Sequence, residues 1–159
     1  MKNKDVIKMI NRIINKNGWK YYYDPESNIF LLGFTVGKKA NKIRMMIIID
    51  EDSCITLSSL KLDIDSREYI KISEFLHRAN YGMNEGNFQF NFDDGEINYK
   101  TYINFANNML SYADINRNVL TGIAMMDLYS DGIIELVNSD KSAKEICNNI
   151  ERHIEDITT

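Results

Sequence analysis

The sequence is short of the residues that several classes of protein need. Among 159 residues it has two cysteines, one proline and two histidines. Cys54 and Cys147 are too few for the disulfide scaffold of a small secreted protein, and too isolated for a zinc site, which needs about four ligands placed close together. No apolar run is long enough to span a bilayer, and the N-terminus lacks the apolar core of a signal peptide. We therefore expect reduced cysteines, a cytoplasmic location, no membrane contact, and neither a metal nor another cofactor.

The chain also lacks an excess of positive charge. It carries 19 Lys and Arg residues against 23 Asp and Glu residues, and its basic residues are scattered among the acidic ones. A nucleic-acid-binding domain normally gathers basic residues on one face, so nucleic acid is not an expected partner. Hydrophobic residues make up 44% of the chain, which is typical of a globular protein with a packed core. The length suits one domain over residues 1–159.

No catalytic motif accompanies the residue types that commonly carry catalysis. His77 and His153 fall on predicted helices, and neither lies near a motif that would supply a nucleophile or an orienting partner. The acidic clusters 50–52 and 93–96 lack the ligand spacing of a calcium loop and are typical of turns. We therefore predict that the chain is not an enzyme, and we assign no catalytic, cofactor-binding or metal-binding residue.

Hydrophobic periodicity predicts an α+β domain with an antiparallel sheet in the order α-β-β-β-α-β-β-α, followed by an additional C-terminal helix. Residues 1–137 form the predicted core. Gly122 and Gly132 weaken the long third helix, where we expect a kink or a break. The predicted elements are a helix over 6–17, strands over 28–36, 43–49 and 55–62, a helix over 65–80, strands over 87–92 and 97–104, a helix from Ser111 or Asp114 to 137, and the C-terminal helix over 142–157.

The first group of strands is apolar on both faces. A strand with one face in water alternates apolar and polar residues, whereas 30–32 and 45–48 are continuously apolar. Something must therefore cover the second face of the sheet. Flanking helices and a second copy of the protein are both candidates, and the sequence does not choose between them.

The segment from Asn87 to Asn104 is predicted to be a β-hairpin, because Phe88, Phe90 and Phe92 alternate with polar residues before an acidic turn. A two-residue Asp94-Gly95 turn is the preferred closure, and a turn at Asp93-Asp94 is the alternative. The aromatic face is expected to be core. The preferred turn predicts three pairs: Phe92 with Ile97, Phe90 with Tyr99, and Phe88 with Thr101.

Two segments, Phe75–Gly82 and Gly86–Thr101, resemble the bacterial YbjN domain family. The shared features are a helix that ends near an asparagine, a glycine, an alternating aromatic strand, an Asp-Gly-Glu turn and a returning strand with Tyr-Lys. The element order also looks like the fold of the type III secretion chaperones, which are small acidic proteins that dimerise and hold an extended segment of a client. This resemblance implies a chaperone-like or regulatory binding domain.

The first hypothesis is accordingly a non-enzymatic, homodimeric protein that binds a polypeptide client at a sheet edge or in an apolar groove. The second is a sensory or regulatory module that acts through a protein partner or a small ligand. An enzyme with an unfamiliar site is a distant third. The candidate surface for a partner or dimer consists of apolar and aromatic residues on the predicted strands and around the second helix: Phe30, Leu32, Met46, Ile48, Tyr69, Tyr81, Met83 and Tyr102.

Overall fold

The computed structural model describes residues 3–107 and 109–158, with the side chains of the last helix described as far as Arg152. The α+β class, the antiparallel sheet and the C-terminal helix are confirmed. The elements are α1 (Asn3–Lys16), β1 (Tyr21–Asp24), β2 (Ile29–Val36), β3 (Asn41–Ile49), β4 (Ser53–Leu60), α2 (Tyr69–Asn80), β5 (Asn87–Phe90), β6 (Ile97–Asn104), α3 (Tyr112–Val137) and α4 (Ala143–Thr158).

The sheet has one strand more than the sequence pattern predicted. Its six strands lie in the order β1-β2-β3-β4-β6-β5, and every neighbouring pair is antiparallel. The additional strand is β1, whose tyrosines pair with the start of β2, with Tyr21 opposite Leu32. At four residues it is too short to show a period of its own, which is why the aromatic segment before Pro25 was not predicted as a strand.

The helices pack on a single face of this sheet. Along β3, Ile43, Met45 and Ile47 are buried, while the residues between them are not. One group of buried side chains joins α1 to β2, β3 and the start of α3, and a second joins α2 and α4 to β5, β6 and the rest of α3. Because strand side chains alternate between faces, the opposite face of the sheet is covered by none of the helices among the described residues.

The hairpin closes two residues away from the preferred register. Phe90 pairs with Ile97 and Phe88 pairs with Tyr99, which is the register of the alternative turn at Asp93-Asp94. The preferred Asp94-Gly95 turn was therefore wrong, and Phe92 lies exposed beyond the paired strands. The prediction that the aromatic face is core is confirmed for Phe88 and Tyr99, which are buried and pack edge-on with the ring centroids 4.9 Å apart, but it was wrong for Phe92.

The α3 helix runs without a break through both of its glycines. Ser111 caps its N-terminus in a capping box with Asp114. A Cβ at Gly122 would lie 2.5 Å from Ser58 Oγ, and one at Gly132 would lie 2.7 Å from Ile150 Cδ1. The glycines therefore let α3 approach β4 and α4 closely, and the break that was one of the two predicted outcomes does not occur.

Candidate functional site

The candidate site is the face of the sheet that no helix covers, which we call the open face. Strand register arranges its apolar side chains in two adjacent rows that cross β2, β3 and β4. These rows contain six large apolar side chains, and each of the six is only partly buried, although residues of this type normally belong to a core. The first row is Leu31, Met46 and Leu57, and the second is Ile29, Ile48 and Ile55.

In the middle of β4 the apolar side chains face away from the helices, whereas Cys54 and Leu60 nearer its ends are buried in the core. Ile55 and Leu57 point to the open face, whereas Thr56 and Ser58 are fully buried beneath α3. The Thr56 hydroxyl donates a hydrogen bond of 3.0 Å to Asn118 Oδ1 in the helix. Apolar residues normally occupy the buried face of a half-solvated strand. The reversed pattern in β4 means that the sequence keeps an apolar surface on the open face.

Charged residues flank the apolar rows at both ends of the strands. At the end where β3 begins, Lys42, Arg44 and Lys61 line a shallow depression of about 240 Å³ together with Glu96. The Arg44 guanidinium lies 3.3 Å from Glu96, and its side chain is 68% exposed. At the other end, the turns after β1 and β3 carry only acidic residues among their charged side chains: Asp24, Glu26, Asp50, Glu51 and Asp52.

The predicted partner surface is divided between the two faces of the sheet. Met46, Ile48 and Tyr102 lie on the open face, and Tyr102 is 56% exposed. Phe30 and Leu32 lie on the opposite face within the core beneath α1 and are buried, so their assignment to a partner surface was wrong. A shift of one residue along a strand moves a side chain to the other face.

The remaining predicted surface residues lie away from the open face. Tyr69 is half-buried and packs against Phe90 at the hairpin, with ring centroids 5.0 Å apart. Tyr81 is 96% exposed just after α2. Met83 lines a separate groove. The structure therefore does not bring the eight residues together, and sequence reasoning missed Leu31 and Leu57, for which the reversed alternation in β4 was the available signal.

The groove at Met83 lies between the residues after α2 and the helices α3 and α4. It has a volume of about 690 Å³. Its lining is mainly apolar, with Met125, Leu128 and Tyr129 on one side and Glu85 and Glu151 at its polar margin. Methionine side chains adapt readily to differently shaped ligands, so this groove is a second candidate site.

One edge of the sheet is closed to an added strand. At the outer edge of β5, the Phe88 N–H donates to Asn80 Oδ1 at 2.7 Å, and Asn80 Nδ2 donates to the Phe88 carbonyl at 3.0 Å. The side-chain amide therefore occupies the backbone groups that a client strand would need. The opposite edge strand is β1, which among the described strands pairs only with β2.

The described residues offer few groups for chemistry. No three His, Cys, Asp or Glu side chains in residues 3–107, 109–152 stand close enough to hold a metal ion. His77 is exposed on α2, and the side chain of His153 lies outside the described residues. Burial raises the pKa of Tyr99 and of Tyr129 to about 12 in each case. Both phenols therefore stay protonated at neutral pH.

Both cysteines are expected to be inert in the folded protein. Burial raises the pKa of Cys54 to about 12. Burial, with a smaller contribution from Glu151, raises the pKa of Cys147 to about 11. Because only the thiolate reacts, a thiol-specific chromogenic disulfide should label neither cysteine in the native protein near neutral pH, and both after unfolding. Rapid labelling of the native protein would contradict the described burial.

The same shifts predict a loss of stability in alkali. The folded pKa values lie above the ordinary thiol value of 9.0, so an unfolded chain releases its thiol protons at a lower pH than the folded chain does. The contribution is fully present below pH 9 and is lost as the pH rises from 9 toward about 11 for Cys147 and about 12 for Cys54. Urea denaturation across that range should show a falling midpoint, and a double Cys→Ala variant should lose part of that dependence.

Comparison with known proteins shows that this chain is similar in fold to a solved structure. No family model matches the sequence, and no curated protein matches it. Among solved structures, the crystal structure of YbjN from E. coli, a proposed transcription regulator, has a TM-score of 0.54 and 9% sequence identity over 79% of this chain and 90% of that chain. This chain has a YbjN-like fold. At so low an identity the likeness concerns the fold alone.

Across the part of the chain that the structure describes, none of the helices combines the length and the apolar character needed to cross a bilayer.

Proposed function

We propose that this chain is a non-enzymatic domain that binds a polypeptide partner through the open face of its sheet. The observation that carries this proposal is the reversed alternation in β4, where Ile55 and Leu57 face outward while Thr56 and Ser58 are buried. An apolar surface of this kind, bordered by charged residues, is typical of a protein–protein contact. The proposal places the domain in the cytoplasm, where its two free cysteines would stay reduced.

The physical driving force is the removal of the six aliphatic side chains from water. Full burial of one such side chain stabilises by about 1.5–3 kcal/mol, and a partly buried one contributes a fraction of that. The flat face suits a partner that presents an apolar surface of its own. The closed edge at β5 disfavours the addition of a client strand there, because Asn80 already occupies the backbone of Phe88.

A second candidate function is a sensory module that holds a small apolar ligand. The groove of about 690 Å³ lined by Met83, Met125 and Leu128 favours it, since ligand sites are usually concave and mainly apolar. Native mass spectrometry of the purified protein tests the hypothesis that the groove holds a small ligand. A co-purified small molecule that is lost when Met125→Trp fills the groove would support it, and a ligand-free protein would argue against it.

Replacing Leu57 by glutamate tests the main proposal. The change places a charge in the middle of the open face without touching the core, so the variant should fold and lose its polypeptide partner. Ile70→Glu is the matched control, because Ile70 is 72% exposed on α2, away from the open face.

The three tagged proteins would be recovered from cells that also express an untagged copy of the chain. Any polypeptide retained by the wild type and by Ile70→Glu but lost with Leu57→Glu supports the proposal, whether it is another protein or the untagged copy. Equal retention by all three, with folding confirmed by circular dichroism, would exclude the open face as the binding surface.

A further inference from the structure

We infer that the partner on the open face is a second copy of this chain, docked face to face with its strands running opposite to those of the first. The inference rests on the proposed function, because it names the occupant of the same surface. Three properties of the described residues carry it: the symmetry of the apolar rows, the polarity of the flanking charges, and the area available.

The apolar rows lie on either side of one line across the sheet. Phe30, Ile47, Thr56 and Thr101 are paired in register and form that line, with their side chains toward the helices. One residue to each side, the side chains point to the open face. A two-fold axis along this line therefore sets one apolar row of the first copy against the other row of the second, with Met46 opposite Ile48 and Leu57 opposite Ile55.

The charges along β3 obey the same symmetry. Arg44 lies on the open face of β3, three residues before Ile47, and Asp50 directly follows the strand, three residues after Ile47; both are exposed. The two-fold axis consequently sets Arg44 of each copy opposite Asp50 of the other. The Arg44 guanidinium has five N–H donors, and within its own chain it donates to Glu96. Donors therefore remain for the contact with Asp50.

A third complementary contact lies on β6. Lys100 and Tyr102 both point to the open face, one residue to each side of Thr101. The same axis brings the Lys100 ammonium of each copy against the Tyr102 ring of the other, which is the arrangement of a cation–π interaction. Apolar, ionic and cation–aromatic contacts thus agree on one symmetry.

A two-fold axis parallel to the strands would be unfavourable. An axis parallel to the strands would set like ends against each other, so the acidic turns of the two copies would meet. Asp24, Asp50 and Asp52 of each copy would then lie at the same end of the interface as the acidic residues of the other, and like charges across an interface are repulsive. The charge pattern therefore selects the axis across the strands.

The available area is sufficient for a specific contact. Four strands about 4.8 Å apart, each with about eight residues rising about 3.3 Å, present a face of roughly 500 Å². Two such faces together bury on the order of 1,000 Å², which is the lower limit for a specific interface. The strands of the two copies would then run within about 30° of antiparallel, as in the aligned packing of two sheets.

Light scattering after size exclusion provides the first test. The wild type is expected at about 37 kDa, twice the chain mass of 18.5 kDa, and Met46→Glu at the monomer mass. Ile70→Glu should remain dimeric. A monomeric wild type at high micromolar concentration would overturn the inference. The proposed function would still stand if the wild type then retained a different polypeptide that Leu57→Glu does not retain.

A charge exchange provides the second test and does not depend on the folding of Met46→Glu. Arg44→Asp and Asp50→Arg should each weaken the dimer at least about 10-fold, because each sets like charges against each other. The double variant restores opposite charges across the proposed contact and should recover most of the affinity, as measured by sedimentation equilibrium. A double variant as weak as the weaker single variant would exclude this symmetry.

Discussion

Phe30→Ala is expected to lower the free energy of unfolding by about 3–5 kcal/mol. The Phe30 ring is fully buried beneath α1, and it lies 4.4 Å from the Tyr23 ring between centroids. Removing it deletes the packing between β1, β2 and the first helix and leaves a cavity. Urea denaturation followed by circular dichroism would measure the change.

The neighbouring residue supplies the matched control. Leu31 follows Phe30 directly but lies on the open face and is only partly buried. Leu31→Ala should therefore cost about 1 kcal/mol or less when measured at a concentration low enough to keep copies apart. Equal losses at the two positions would mean that both faces of β2 are buried within one chain, contrary to the structure.

Gly86→Ala is expected to destabilise the fold by about 2–5 kcal/mol, the sum of backbone strain and overpacking. Gly86 has a φ of 74°, which side-chain-bearing residues rarely adopt. An added Cβ would lie 2.6 Å from the carbonyl oxygen of Lys100, a backbone atom that cannot move aside without disturbing β6. The Tyr99 hydroxyl also donates to the backbone carbonyl of the preceding Glu85, which fixes this approach.

Gly82→Ala is the control for that prediction. No atom lies within 4 Å of the Cβ that alanine would add at Gly82, and its φ is not in the positive range. The free energy of unfolding of this variant should lie within about 0.5 kcal/mol of the wild-type value. If Gly82→Ala and Gly86→Ala were equally destabilising, the connection into β5 would not have the described conformation.

Much of the fold was predictable because its periodicities are strong. The amphipathic stripe of α1 and the alternation of β6 each identify one element and its inward face. The third helix was predicted, but its glycines were interpreted by propensity alone. Gly122 is needed because α3 passes close to Ser58 at that point. Such a tertiary contact between residues distant in sequence has no local signal in the sequence.

The hairpin register shows a second limit of sequence reasoning. Asp-Gly is a strong local signal for a two-residue turn, yet here the turn is longer, with the Gly95 N–H donating to the Asn91 carbonyl at 2.8 Å. The side-chain amide of Asn80 holds Phe88 from outside the sheet, and the Tyr69 ring lies against Gly95. Contacts from α2 therefore outweigh the turn preference.

The candidate site was only partly predictable for the same reason. The sequence showed that β2 and β3 are apolar on both faces, and two of the residues selected on β3, Met46 and Ile48, lie on the open face. It selected Phe30 instead of Leu31, because adjacent apolar residues carry no sign of which face the helices cover. The face is decided by where α1 and α3 pack, and only the assembled structure shows this.

Site-specific photo-cross-linking would identify whatever contacts the open face. A benzophenone side chain in place of Leu57 reacts only with groups that touch the open face, and the same group in place of Ile70 reports on the helical side. We expect a discrete cross-linked polypeptide adduct from position 57 in cells and none from position 70. If the partner is a second copy, the adduct should have a mass of about 37 kDa, twice 18.5 kDa. No adduct at position 57, or equal adducts at both positions, would contradict the claim that the open face binds a polypeptide.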